Sequence, residues 1–249
     1  MNSKVALVTG GSRGIGRATA LLLADQGYQV AVNYVNNTRA AQQVVDEIKA
    51  KGGEALAIQA DIGDEAQVVA MFKIIADQMG PIDALVNNAG ILFQQSTIEN
   101  ISAERINRVL NTNVTGYFLC CREAVKVMSK KHGGQGGAIV NVSSAASRLG
   151  APNEYIDYAA SKGAVDSLTT GLSLEVAGYG IRVNAVRPGL IYTEMHASGG
   201  EAGRVDRVGA SLPMQRGGQP EEVAQAIVWL LSDAASFVTG SFIDLAGGK

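Results

Sequence analysis

Residues 5–9 read Val-Ala-Leu-Val-Thr, an apolar, β-rich run followed at once by glycine. Such a run is too short for a buried helix and reads as a strand. Similar runs return at 30–32, 55–60, 82–86, 138–142, 181–186 and 242–245. Several are continuous rather than alternating, the pattern of strands covered on both faces. Between them lie segments with helical character, at 17–26, 38–51, 65–79, 102–132, 158–176 and 220–231. In the third of these, Val68, Val69, Phe72 and Ile75 recur at helical spacing. Gly27 and Gly52-Gly53 stand where helices should stop, and Thr38 where one should be N-capped. Strand alternating with helix predicts an α/β chain. We expect a doubly wound parallel sheet of about seven strands, with helices on both faces, in one domain over 1–249.

Composition narrows the possibilities. The 249 residues are 47% apolar, enough for a sizeable core. A net charge of −2 offers no basic footprint, so no nucleic-acid partner is expected. No uninterrupted apolar stretch of about 18 residues occurs, so no membrane span is expected. The first residues read as a strand rather than a signal peptide. Cys120 and Cys121 are adjacent and build no disulfide framework. A reducing, cytoplasmic setting follows as the expectation. No metal site is expected.

The first strand runs into Gly10-Gly11-Ser12-Arg13-Gly14-Ile15-Gly16, then a helix, then a second strand. This order is that of a dinucleotide-binding unit. Glycines let the backbone approach a pyrophosphate, and the helix N-terminus faces its charge. A carboxylate about 20 residues on usually holds the ribose hydroxyls of NAD. Here the second strand ends in Asn33-Tyr34-Val35-Asn36-Asn37-Thr38-Arg39, with no acid. That absence, with cationic Arg13 in the glycine loop, favours NADP (NADPH) over NAD. Arg39 could add a second charge or be a solvated helix residue.

Tyr158 and Lys162 lie four apart and share one helix face. A free phenol has a pKa near 10 and is a poor acid–base group at neutral pH. A nearby ammonium favours the phenolate, and lowering the pKa by about 3 units needs roughly 4 kcal/mol. The sequence therefore predicts a phenol made easier to ionise by its lysine neighbour, a cationic nicotinamide ring and a dry pocket acting together.

The spacing Thr9-Gly10-x-x-x-Gly14-x-Gly16, the run Asn87-Asn88-Ala89-Gly90, Asn113 within a long helix, Ser144, Tyr158-x-x-x-Lys162 and Pro188-Gly189 resemble the short-chain dehydrogenase/reductase family. They occur in its order and cover nearly the whole chain. The resemblance implies a Rossmann sheet and hydride transfer between NADP(H) and a carbonyl or alcohol substrate. Tyr158 would be the acid–base group, Lys162 its modulator and the holder of the nicotinamide ribose. Ser144 would position the reacting oxygen, and Asn113 would support a proton relay through water. Asp61 would contact the adenine edge and Ile62 pack on its ring, although Asp61 could also cap the following helix. Asn88, Ala89 and Gly90 would leave room for the cofactor. Pro188, Gly189, Ile191 and Thr193 would line its nicotinamide side. Ser144 stands one residue further from Tyr158 than in most relatives, read as an insertion within 147–156. Tyr155 lacks a lysine four residues on and is set aside.

Residues 193–210 are expected to form a mobile substrate lid. Leu92, Phe93, Arg148, Asn153, Glu154, Leu190, Met195 and His196 are expected near the substrate. Small residues on the helix after Tyr158 imply, by resemblance, a homodimer or homotetramer. The competing reading is a cofactor-sensing or scaffold protein without turnover on the same fold. Sugar epimerisation or dehydration would need a larger C-terminal domain than 249 residues leave.

Overall fold

The computed structural model describes residues 3–249. In chain order its main elements are β1 (Val5–Val8), α1 (Gly14–Asp25), β2 (Gln29–Tyr34), α2 (Thr38–Ala50), β3 (Ala55–Gln59), α3 (Glu65–Gln78) and β4 (Ala84–Asn87). Then come α4 (Ala103–Leu110), α5 (Gly116–Met128), β5 (Gly137–Val142), α6 (Ala146–Leu149), α7 (Ile156–Val176) and β6 (Ile181–Pro188). The chain ends with α8 (Met195–Ser198), α9 (Arg204–Gly209), α10 (Pro220–Leu231) and β7 (Phe242–Leu245). The seven strands are all parallel, in the order β3-β2-β1-β4-β5-β6-β7. This is the expected doubly wound Rossmann sheet.

Strand periodicity divides the core in two. Val5, Leu7, Leu85 and Ile139 face a cluster with α3, α5 and α7. Their neighbours Ala6, Val8, Ala84, Val86, Ala138 and Val140 face the cluster with α1, α2 and α10. The central strands are apolar on both sides because both sides are covered. Strand order reverses between β1 and β4, and there the C-terminal strand ends open into a crevice.

Several local expectations are corrected. Asn37, not Thr38, caps α2: its side-chain oxygen accepts from Ala40 N at 2.9 Å. The glycine-loop helix starts at Gly14, and α7 starts two residues before Tyr158. The long helix over 102–132 is broken into α4, a π-helical turn at Asn111–Thr115, α5 and a final 3-10 turn. Asparagine side chains compete with the helical ladder, and Asn111 and Asn113 both reach outside it. The segment 193–210, expected as a lid, carries α8 and α9.

One clasp fixes the crevice. Thr9, fully buried at the end of β1, accepts hydrogen bonds through Oγ1 from Asn88 N (2.9 Å) and Ala89 N (3.1 Å). The Asn88 amide in turn donates to the carbonyls of Thr9 (2.9 Å) and Gly10 (3.1 Å). The glycine loop and the turn after β4 are thus one bonded unit. Replacing Thr9 by valine keeps the shape and orphans two main-chain donors. At about 1–3 kcal/mol for each stranded buried donor, the Thr9→Val protein should lose about 2 kcal/mol or more. Urea unfolding of the two proteins checks this.

Candidate active site

Two cavities open at the C-terminal strand ends. The first, about 550 Å³, lies over the glycine loop. Gly10, Ser12, Arg13, Gly14, Ile15, Asn33, Asn36, Asp61, Ile62, Asn88, Ala89, Gly90 and Thr193 all line it. The second, about 620 Å³, is lined by Ser144, Tyr158, Lys162, Pro188, Gly189 and Ile191. Ile15, Asn88, Gly90, Thr193 and Met195 border both, so the two are continuous.

The glycines have steric reasons. Gly10 has φ +61°, and a Cβ there would stand 2.9 Å from Ala89 Cα. Gly16 does not reach the cavity; a Cβ on it would strike the Gly10 carbonyl and the Asn88 amide, so it permits the loop rather than touching what lies on it. No side chain caps α1, and no acid sits in its first turn. Asn33 borders the cavity, but its side chain is spent on structure. Its Oδ1 accepts from Gly10 N (3.2 Å) and its amide donates to Ala60 O (2.9 Å), which ties the glycine loop to the end of β3. Asp61 does not cap α3. That cap is Asp64, while Asp61 accepts from Gly63 N at 2.9 Å. This open, backbone-lined crevice with Arg13 exposed at its edge fits a dinucleotide.

In the second cavity Tyr158 is 9% exposed and Lys162 2%. Ser144 lines the cavity beside Tyr158, accepts from Ala146 N (3.1 Å) and donates to Pro188 O (3.4 Å). Its neighbour Ser143 turns away and donates to Asp166 (2.6 Å). Ser144, not Ser143, therefore stands at the tyrosine. Lys162 Nζ donates to Val142 O (2.7 Å) and Tyr117 Oη (3.3 Å), and lies 5.6 Å from the Tyr158 ring centre. Tyr117 donates to the same carbonyl at 3.1 Å. Nothing in the sequence singled out Tyr117, because it reads as one more apolar position of a helix.

The electrostatics of the chain by itself show what the lysine alone contributes. Burial pushes the Tyr158 phenol up to about 12, against a lowering by the Ser144 hydrogen bond. Burial pushes Lys162 down to about 7, against a raising by Asp166. Desolvation dominates both groups, and the ammonium points to Val142 and Tyr117 rather than to the Tyr158 hydroxyl. The helical neighbour alone does not ease the ionisation of Tyr158.

Asn113 is fully buried and reaches neither cavity. Its side chain accepts from Ile91 N (2.8 Å) and donates to Ile91 O (2.9 Å) and Ser161 Oγ (3.1 Å). Both amide protons are spent on holding the segment after Gly90 to α7.

Of the residues expected near substrate, Leu92, Glu154, Leu190, Met195 and His196 line the second cavity. Three do not. Phe93 lies under the guanidinium groups of Arg105 and Arg108. Arg148 pairs with Asp244 at 3.4 Å, and Asn153 sits in a turn at φ +61°. Tyr155 does line the cavity, but its hydroxyl donates to Gly199 O (3.3 Å). The cavity also takes Val208 and Leu212 from the segment around α9, too distant in sequence to be foreseen. Among the described residues, no group of three or more His, Cys, Asp or Glu side chains could hold a metal ion. No described helix is long and apolar enough to cross a membrane.

Comparison with known proteins agrees with this geometry. Residues 10–249 match the family model described as enoyl-(acyl carrier protein) reductase. The chain is 76% identical to the uncharacterized oxidoreductase YgfF of Escherichia coli (strain K12), over 98% of this chain and 99% of that one. It is 40% identical to the 3-oxoacyl-[acyl-carrier-protein] reductase FabG of Staphylococcus aureus, over 99% and 98%. A short-chain dehydrogenase from Burkholderia cenocepacia, solved with NADP, superposes with a TM-score of 0.89 at 35% identity, covering 98% and 97%. A 3-ketoacyl-(acyl-carrier-protein) reductase from Brucella melitensis, complexed with NADH, gives 0.91 at 34%, also covering 98% and 97%. Sequence, sheet order and crevice converge, and the chain belongs to the short-chain dehydrogenase/reductase family, as an oxidoreductase.

Proposed function

We propose that this chain is an NADPH-linked carbonyl reductase, interconverting a carbonyl and a secondary alcohol, with Tyr158 as acid–base group. The observation that carries the reading is Ser144, Tyr158 and Lys162 brought together on one largely apolar cavity continuous with the glycine-loop crevice. When bound, NADPH supplies the hydride. Gly10, Ser12, Arg13, Gly14 and Ile15 would hold its phosphates, and Asn36, Asp61 and Ile62 its adenosine end. Ala89, Gly90, Pro188, Gly189, Ile191 and Thr193 would bound its nicotinamide end.

Tyr158, raised to about 12, is a protonated phenol at neutral pH and so a ready donor to an alkoxide forming at the carbonyl oxygen. Ser144 donates to the same oxygen and orients it. Lys162 holds the nicotinamide ribose and, when charged, stabilises the phenolate left behind. Since both amide protons of Asn113 are committed, any water relay there would depend on its main-chain oxygen. The apolar walls, with Leu92, Leu190, Met195, Val208 and Leu212, suit a small or medium carbonyl compound. The relatedness to 3-oxoacyl reductases puts β-keto thioesters on the list of substrates to try. Residues 193–210 act as a lid, which Arg204 fastens to Glu154 at 2.6 Å. We place the enzyme in the cytoplasm as a homodimer or homotetramer through α5 and α7, where Phe118 and Leu174 stand exposed.

Three outcomes are expected. Replacing Tyr158 by phenylalanine should cut NADPH oxidation on a carbonyl panel by at least about a hundredfold. NADPH affinity should stay nearly unchanged. Equal turnover by the variant removes Tyr158 as the acid, and binding without turnover on any compound by the natural protein would favour a sensing role.

Arg13→Glu should weaken NADPH binding by about ten- to a hundredfold and spare NADH, since a charge-assisted hydrogen bond contributes about 1.5–3 kcal/mol. A natural protein that prefers NADH would end the NADP assignment.

A bound dinucleotide places negative charge near Lys162 and raises its pKa above the free chain's value of about 7. Binding then takes up a proton, so NADPH affinity should fall as pH rises from 7 to 9. Titration of Lys162→Met over the same range should lack that slope.

A further inference from the structure

Behind the floor of the second cavity lies a carboxylate that the mechanism does not use. Asp166 stands one turn after Lys162 on α7. Ser143 Oγ donates to its Oδ1 at 2.6 Å and also lies 3.3 Å from Lys162 O. Arg187 Nε donates to its Oδ2 at 3.0 Å, and Nη2 lies at 3.0 Å from the same oxygen in the ion pair. Both the Asp166 and the Arg187 side chains are largely buried, at 17% and 16% exposed. The Arg187 guanidinium is held in turn over the Phe242 ring, 4.0 Å from its centre.

The chain positions of these partners give the contact its meaning. Ser143 precedes Ser144 at the end of β5. Arg187 precedes Pro188 in β6, and Pro188 O accepts from Ser144 Oγ (3.4 Å) and Ala145 N (2.9 Å). One carboxylate therefore joins the strand ends that deliver Ser144 and Pro188-Gly189 to the helix that delivers Tyr158 and Lys162. Ser143–Asp166–Arg187 is a bridge across three elements.

We propose that Asp166 is a positioning residue of the reductase site, bracing Ser144 and Pro188 against α7 and placing a carboxylate charge one helical turn from Lys162. The groups packed around the lysine are otherwise uncharged. They are the Val142 carbonyl from β5, the Tyr117 hydroxyl from α5 and the Tyr158 ring from its own helix. Asp166 is the charged group that raises the Lys162 pKa against burial. Its own field is trimmed by Arg187. Arg187 also lies 3.9 Å from Asp244, which pairs with Arg148 from α6 at 3.4 Å.

The proposal rests on Tyr158 and Lys162 being the proton-handling pair, but its test needs neither cofactor nor substrate. The full chain is labelled with [13C]lysine at Cε, and the Lys162 resonance is identified by its loss in Lys162→Met. Its titration midpoint is then followed by NMR. Asp166→Asn keeps the shape of the side chain and removes its charge, so the midpoint should fall by about half a unit to one unit. Arg187→Gln uncovers the Asp166 charge, so the midpoint should rise. Opposite shifts of the two variants support the proposal. A role in packing alone would disturb stability and leave both midpoints in place, which overturns it, as would shifts of the same sign. Should Asp166→Asn fail to fold, the direction seen in Arg187→Gln decides. Absence of turnover on every carbonyl tested would count against the reductase reading and leave this titration standing.

Discussion

The site depends on an ammonium group enclosed by protein. Lys162 is buried on the inner face of its helix, and the groups its ammonium touches are a carbonyl and a phenol. Neutral oxygens stabilise such a charge less well than water does, so the proton is loosely held near neutrality. Tyr158 meets the opposite penalty and holds its proton tightly. The resting site is a firm acid beside a soft base. An anionic ligand in the adjoining crevice would shift the balance toward a charged lysine and, through it, toward the phenolate.

Several side chains that resemble ligand contacts are framework. Asn33, Asn88 and Asn113 use their amides to pin one loop to the next. Asparagine suits this work because one small planar group both donates and accepts, and it can tie off main-chain atoms where strands end. The lack of side-chain freedom at these joints keeps two cavities aligned that neither strand nor helix geometry would align alone. The glycines are the complement: they are small so that the asparagines can come close.

The sheet was legible because its central strands are buried on both faces and therefore mostly apolar along their length. The crevice was legible because glycine spacing reports a backbone shape directly. What escaped had other causes. Tyr117 sits in a helix that looks apolar, and only the fold shows its hydroxyl under Lys162. The sign of the shift on Tyr158 escaped because it depends on how much water burial removes, which no spacing records. The helix over 102–132 read as continuous because its composition is helical on both sides of the break. The π-helical turn follows from contacts that Asn111 and Asn113 make with residues some twenty to fifty positions away.

The clasp between Thr9 and Asn88 also bears on how the molecule is assembled. Its hydrogen bonds join positions 78–80 residues apart, across the β1–β4 pair at the middle of the sheet. Closing so long a span is entropically slow. On a ribosome, the first strand, glycine loop and helix emerge well before the segment that shapes them. The nucleotide cradle is therefore a late product of synthesis, and a nascent chain stalled before residue 88 would carry the motif without its grip.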